Sequence, residues 1–326
     1  MFFNNIKLNY NIKILDDLIK SKDYESIQQL ITSKKNNKSL FYHLIRYLRD
    51  NYFHLPNYAR MLKKKFIWLA SFENSDLLYL DNFIQFYFKN QNLSFLSDNY
   101  SDCFSQTMEK IDVTELNPKP NFDEIVLETD LYHLLIHYMN EEDYFILKTN
   151  SAFFEAPNNK FFIYPNNTVT FFAVIRNPYE LYSKYKLINN NQEEALEKLN
   201  YFDFAKIEKI RANQSNKYSL MEAKQSWSIN TKSWNDENVK DTYKGKIILY
   251  SDLLNSPEES LIEVIYHLKQ CGMPLDMDYK IINNFLSQNI LERETNTLAM
   301  SNHELKLVSN GLDKHLLEDL NFQSAN

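Results

Sequence analysis

At 326 residues the chain is long enough for one large α/β domain with a helical extension, and ample to bury a core. A formal net charge of −7 argues against nonspecific nucleic-acid binding, which draws on clustered lysine and arginine. Two cysteines, Cys103 and Cys271, with no CxxC spacing argue against a disulfide framework or a zinc site.

The opening stretch MFFNNIKLNYNIK lacks the apolar core of a signal peptide, and no run approaches the ~18 apolar residues of a membrane span. The expectation is a soluble cytoplasmic protein with no membrane span and no nucleic-acid partner. Residues 1–62 read as a helical extension. Leu15, Leu18 and Ile19, then Tyr24, Ile27, Leu30 and Ile31, then Leu40, Leu44, Ile45 and Leu48 recur at helical spacing. The polar stretch Ser33 to Ser39 and Pro56 break these stripes. Such faces pack against a main domain or present a surface to a partner.

Residues 63–326 read as the α/β domain. Its basic run Lys63 to Lys65 is short and suits a solvated helix end. Phe66 to Ser71 is an apolar run of strand length, followed by Glu73-Asn74-Ser75-Asp76 and a helix carrying Leu77, Leu80, Phe83, Ile84 and Phe88 on one face. Strand, tight loop and helix form the layout of a phosphate cradle. A cradle needs glycine, so that backbone amides approach the anion, with a lysine and the positive end of a helix. This loop has neither glycine nor lysine, in a chain with only 3 glycines. Further strands are expected at Tyr144 to Lys148, Thr170 to Arg176 and Lys246 to Tyr250, with connections at Asn117 to Pro120 and Asn189 to Asn191. Strands alternating with helices predict a mainly parallel sheet covered on both faces, with ligands beyond the carboxyl ends of the strands.

Those ends hold the charged groups of interest. Glu73, Asp76 and Asp81 surround the first loop and helix; they suit helix capping and solvation, with a hard-cation site as the lesser alternative. Arg176 can grip an anion with its fork, or form a structural pair with Glu180 or Asp252; Lys148 and Lys184 would complete an anion pocket with it. Among the histidines, His133 and His137 share an i, i+4 face without an HExxH pattern, so no metal site is expected. No Gly-x-Ser-x-Gly elbow supports a serine hydrolase. The 15% aromatic content, beside an acidic balance, points to core rather than to base stacking.

Taken together, Lys65 to Phe88, Tyr144 to Lys186, and Gln225 to Trp234 with Lys246 to Leu254 resemble, in order and spacing, the PAPS-dependent sulfotransferase domain family as a divergent member. The resemblance covers roughly residues 63–322 and implies a three-layer α/β/α, P-loop-like fold with a central mainly parallel sheet. In the family, the first loop holds the 5′-phosphosulfate of the cofactor PAPS, a Lys-Thr-His strand end supplies the general base, and an Arg-Asn-Pro segment contacts the 3′-phosphate. Here the phosphate-binding lysine falls on Asn74, the proline on Glu73, the glycine on Asp76, the threonine on Leu78 and the helix arginine on Asp81, while Ser71, Ser75 and Leu80 keep their identity. Lys-Thr-His becomes Lys148-Thr149-Asn150, and an amide takes no proton near neutral pH. Arg176 and Pro178 survive; the serine expected eight residues after the arginine is Lys184, with Ser183 one place early. The late glycine- and tryptophan-bearing loop has no counterpart between Leu286 and His303.

No catalytic residue is intact on this reading, Asn150 standing at the base position with Lys148 nearby. The positions left to a cofactor are Ser75, Arg176, Ser183 and Lys184. The resemblance then implies a fold that has lost PAPS-dependent sulfuryl transfer, holds no cofactor, and works as a binding module for another protein or a glycan. The alternative is an active transferase using PAPS or a differently held donor through Arg176, Lys148 and Lys184, with a base such as Glu73, on a glycan or small hydroxyl acceptor.

Overall fold

The computed structural model describes residues 2–34, 36–52, 65–73, 75–99, 142–153, 155–156, 160–161, 167–200, 206–210, 218–222, 226–291 and 300–322. Asn74, His54, Cys103, His133, His137, Pro56 and the 117–120 connection lie outside them. Three helices come first, α1 (Phe2–Ser21), α2 (Tyr24–Thr32) and α3 (Lys38–Tyr52). Then follow β1 (Phe66–Ser71), α4 (Leu77–Asn90), β2 (Phe95–Asn99), β3 (Tyr144–Thr149), the short pair β4 (Glu155–Ala156) and β5 (Lys160–Phe161), and β6 (Thr168–Ile175). Next are α5 (Pro178–Asn189), α6 (Gln192–Asn200), the hairpin strands β7 (Lys206–Ile210) and β8 (Tyr218–Glu222), α7 (Trp227–Asn235), α8 (Glu237–Tyr243) and β9 (Lys246–Leu249). The chain closes with α9 (Tyr250–Asn255), α10 (Pro257–Gln270), α11 (Tyr279–Gln288), α12 (Asn302–Asn310) and α13 (Lys314–Asp319).

The central sheet has five strands in the order β2-β3-β1-β6-β9, and every pairing in it is parallel. The four anticipated strands are present with small changes of boundary. β6 starts at Thr168 and stops at Ile175, leaving Arg176 outside the strand, and Tyr250 opens α9 instead of closing β9. The edge strand β2 escaped the sequence reading because FLSDN is only half-buried and has neither a long apolar run nor regular alternation. The β7–β8 hairpin escaped it as well.

Alternation along the strands sorts the core into two faces. Phe66, Trp68, Ala70, Phe145, Leu147, Phe171 and Ala173 join one cluster with Leu15, Ile27, Ile31, Phe41, Leu44, Ile45 and Leu48 of the first three helices. Ile67, Leu69, Ile146, Phe172, Val174 and Ile248 join another with Leu80, Phe83, Ile84 and Phe88 of α4 and Leu261, Val264, Ile265 and Leu268 of α10. The result is a three-layer α/β/α architecture. A third cluster, with Tyr182, Tyr185, Leu199, Trp227, Val308 and Leu316, holds α5, α6, α7, α12 and α13 together beside the carboxyl end of β6. Where the chain enters β9, Gly245 is required for space: a Cβ there would lie 2.0 Å from the Phe171 ring.

Register brings the strand ends into line. Ala70 is opposite both Thr149 and Ala173, and Val174 is opposite Ile248. The loops after β1, β3, β6 and β9 therefore share one crevice, which is where a parallel sheet places its ligands.

Candidate functional site

The loop after β1 is fixed by backbone contacts. The Ser75 amide donates to the Phe72 carbonyl at 3.2 Å, and the Tyr185 hydroxyl donates to the Glu73 carbonyl at 2.8 Å. Asp76 then adopts the left-handed conformation, φ 56° and ψ 38°, one residue before α4. That conformation costs most side chains on the order of 1 kcal/mol and is the natural place for glycine, although aspartate tolerates it better than most.

Asp76 stands at the N-cap of α4, yet its side chain makes no capping hydrogen bond. It turns to the loop after β6 instead: an Arg176 Nη atom donates to Oδ2 at 2.5 Å, and Lys184 Nζ lies 3.4 Å from Oδ1. This corrects the expectation that Asp76 caps and solvates the helix, because two cations outcompete the backbone amides for one carboxylate. The α5 segment presents these cations by ordinary helix-start chemistry. Asn177 accepts from the Tyr179 amide as N-cap, Pro178 occupies the first turn, and Lys184 lies two turns on.

Arg176 is almost wholly buried, at 2% exposure. Its Nε donates to Glu180 at 3.2 Å, as anticipated, and its guanidinium stacks on the Tyr250 ring at 4.3 Å. The Arg176 carbonyl accepts from Trp227 Nε1 at 3.0 Å, which pins the strand end to α7. Two carboxylates and two cations thus meet at the end of β6, with Asp252 in the first turn of neighbouring α9. Arg176 is the buried member of these pairs, so losing an acid partner strands a buried cation, whereas the acids, 32% and 40% exposed, can turn to water.

The remaining candidate residues take different positions. Lys148 donates to Asp81 at 2.6 Å, and Ser97 of β2 donates to the same carboxylate at 2.7 Å. Asp81 is fully buried, so the expectation of a solvated helix acid is overturned by a charge pair spanning α4, β2 and β3. Lys148 is committed there and does not join Arg176 and Lys184. Glu73 is exposed, so the three acids of the first loop and helix go three separate ways; no group of three candidate metal ligands converges among the described residues. Ser183 is buried and its hydroxyl donates back to the Tyr179 carbonyl at 3.1 Å within its own helix. The Ser75 hydroxyl is buried and has no hydrogen-bond partner among the described residues.

At the end of β3, the Asn150 side-chain carbonyl accepts from Ser71 Oγ at 3.1 Å, and its backbone carbonyl accepts from Asn230 Nδ2 at 3.0 Å. Trp234 Nε1 donates to the Ser151 carbonyl at 2.9 Å. The tryptophan-bearing helix α7 therefore straps two strand ends, with a neutral amide at the junction that offers hydrogen bonds and no proton transfer. His267 lies elsewhere: its Nε2 donates to the Lys244 carbonyl at 2.8 Å, near the amino ends of β6 and β9, and burial pushes its pKa down. Tyr250, Tyr185 and Asn230 were missed as site residues. Only Tyr250 had a usable signal, its place at the end of an apolar strand.

No protein-family profile and no curated protein sequence matches the chain. Among solved structures it is similar to mouse sulfotransferase SULT7A1 complexed with PAP, with a TM-score of 0.40 and 13% identity over 80% of this chain and 79% of that one. It is also similar to a sulfotransferase from Alicyclobacillus acidocaldarius, with a TM-score of 0.37 and 13% identity over 81% of this chain and 98% of that one. No described helix is long and apolar enough to cross a membrane.

Proposed function

We propose that this chain is a sulfotransferase-like protein whose donor-nucleotide site is closed by its own carboxylate, and that it works as a binding module for another protein or a glycan instead of transferring sulfuryl groups. The observation that carries this reading is the Asp76 carboxylate lodged on Arg176 and Lys184, the two cations left to a phosphate after the cradle lysine and glycine are gone. A nucleotide polyanion would have to displace Asp76 and then lie beside it, Glu73 and Glu180. Each like-charge pair 4 Å apart costs about 4 kcal/mol at an effective dielectric near 20. Asn150 at the base position adds a second, independent obstacle, since it cannot activate a hydroxyl acceptor.

A second reading has one observation in its favour. Arg176 and Lys184 do converge on a single carboxylate, so an active transferase with a smaller, less charged donor would have two cations to use. Calorimetric titration of the purified chain with PAPS and with PAP, at low and at physiological salt, separates the two. The expected result is no saturable binding of either nucleotide by the folded protein. Tight binding abolished by Arg176→Ala would overturn the closed-site reading and establish the transferase alternative.

A further inference from the structure

Asp76 behaves at this site as a bound anion would. It accepts a left-handed backbone without being glycine, it forgoes the capping of its own helix, and it places both oxygens among two cations. Its position relative to those cations matters most. The Asp76 side chain is 32% exposed, whereas those of Arg176 and Lys184 are 2% and 18% exposed. Asp76 is thus the most exposed of the three, so an anion arriving from water meets the cluster first at the carboxylate that holds its two cations. Ser75, the preceding residue, keeps a buried hydroxyl with no partner among the described residues.

We propose that Asp76 is an internal competitor, and that Arg176 and Lys184 form a latent site for a tetrahedral oxyanion from which a free anion and the Asp76 carboxylate exclude one another. The inference rests on the closed-site reading above and adds that the closure is a reversible competition with a free oxyanion. A tethered group competes at an effective concentration in the millimolar range or higher. The wild-type chain then responds to free oxyanion only above that range, and removing the carboxylate lowers the threshold.

The test compares wild type with Asp76→Asn and Asp76→Gly, both compatible with a left-handed backbone, by thermal unfolding of the full chain in sodium sulfate against sodium chloride at matched ionic strength. In both variants the unfolding midpoint should rise with sulfate, saturably and beyond the chloride control, with half-saturation at least about tenfold below that of wild type. Adding Lys184→Ala to Asp76→Asn should return the half-saturating concentration toward the wild-type value. If a variant fails to fold in chloride, recovery of its far-ultraviolet circular dichroism in sulfate that the added Lys184→Ala abolishes counts for the proposal, and recovery that survives Lys184→Ala, or no recovery, counts against it. Folded variants that do not distinguish sulfate from chloride, or a wild-type chain that responds as they do, would overturn it. Either result leaves the closed-site reading to the nucleotide titration of wild type, so the two fail separately. Repeating the variant titration with PAP tells a nucleotide phosphate from a free oxyanion as the species the opened site prefers.

Discussion

Arg176 shows how one side chain is held by several weak arguments acting together. Its charge is stacked on Tyr250, shared between Asp76 and Glu180, and its backbone is tied to Trp227. Arg176→Ala should lower unfolding stability by about 1–3 kcal/mol in a denaturant titration, because a buried guanidinium stacked on Tyr250 is lost while the two part-exposed acids turn to water. Lys184→Ala, at a longer and more exposed contact, should cost about 1 kcal/mol or less. Away from the site, Glu304 accepts from Lys186 at 2.5 Å, from the Ser301 amide at 2.9 Å and from Tyr182 at 3.1 Å. These contacts, Lys186 foremost, pull its pKa down to about 2 from an ordinary 4.5. The native state therefore binds this proton more weakly than the unfolded chain, so the stabilisation is full above pH 4.5 and is lost as pH falls toward 2. Glu304→Gln should flatten that limb of the stability-pH curve. An unchanged curve would mean that other acids set it. Residue identities alone announced a loop without lysine or glycine and an amide at Asn150, but they did not announce Asp76 as the partner of Arg176.

Among the elements, the strongly patterned ones were legible. α4 follows from Leu77, Leu80, Phe83, Ile84 and Phe88 at helical spacing, and β1, β3, β6 and β9 follow from short apolar runs. β2 was not, since an edge strand needs only one neighbour and carries a mixed sequence. The boundary between β9 and α9 moved because Tyr250 is apolar enough for either element, and only its packing against Arg176 decides which. Gly245 offers a test at this scale. Its missing Cβ lets the Phe171 ring pack against the entry to β9, so Gly245→Ala should cost about 1–3 kcal/mol by overpacking, measured by denaturation. A neutral result would mean that Phe171 has room to move aside.

For the molecule as a whole, the parallel sheet positions the site, and the helices on both faces hold the sheet. The first three helices share a cluster with Trp68, Phe145 and Phe171, so their apolar stripes are spent on packing against the sheet, one of the two roles those stripes suggested. Sequence by itself determined the layered α/β architecture, because hydrophobic period reports burial residue by residue, and it determined that the loop after β1 carries acids where a phosphate cradle would carry glycine and lysine. Only the tertiary structure decided where the remaining charges go. Asp76 and Arg176 are 100 residues apart, and so many of the chain's acids and bases are equivalent on paper that no local pattern pairs them. Parallel strands ending on one line bring the two loops together, and burial of Arg176 then makes an ionic partner obligatory.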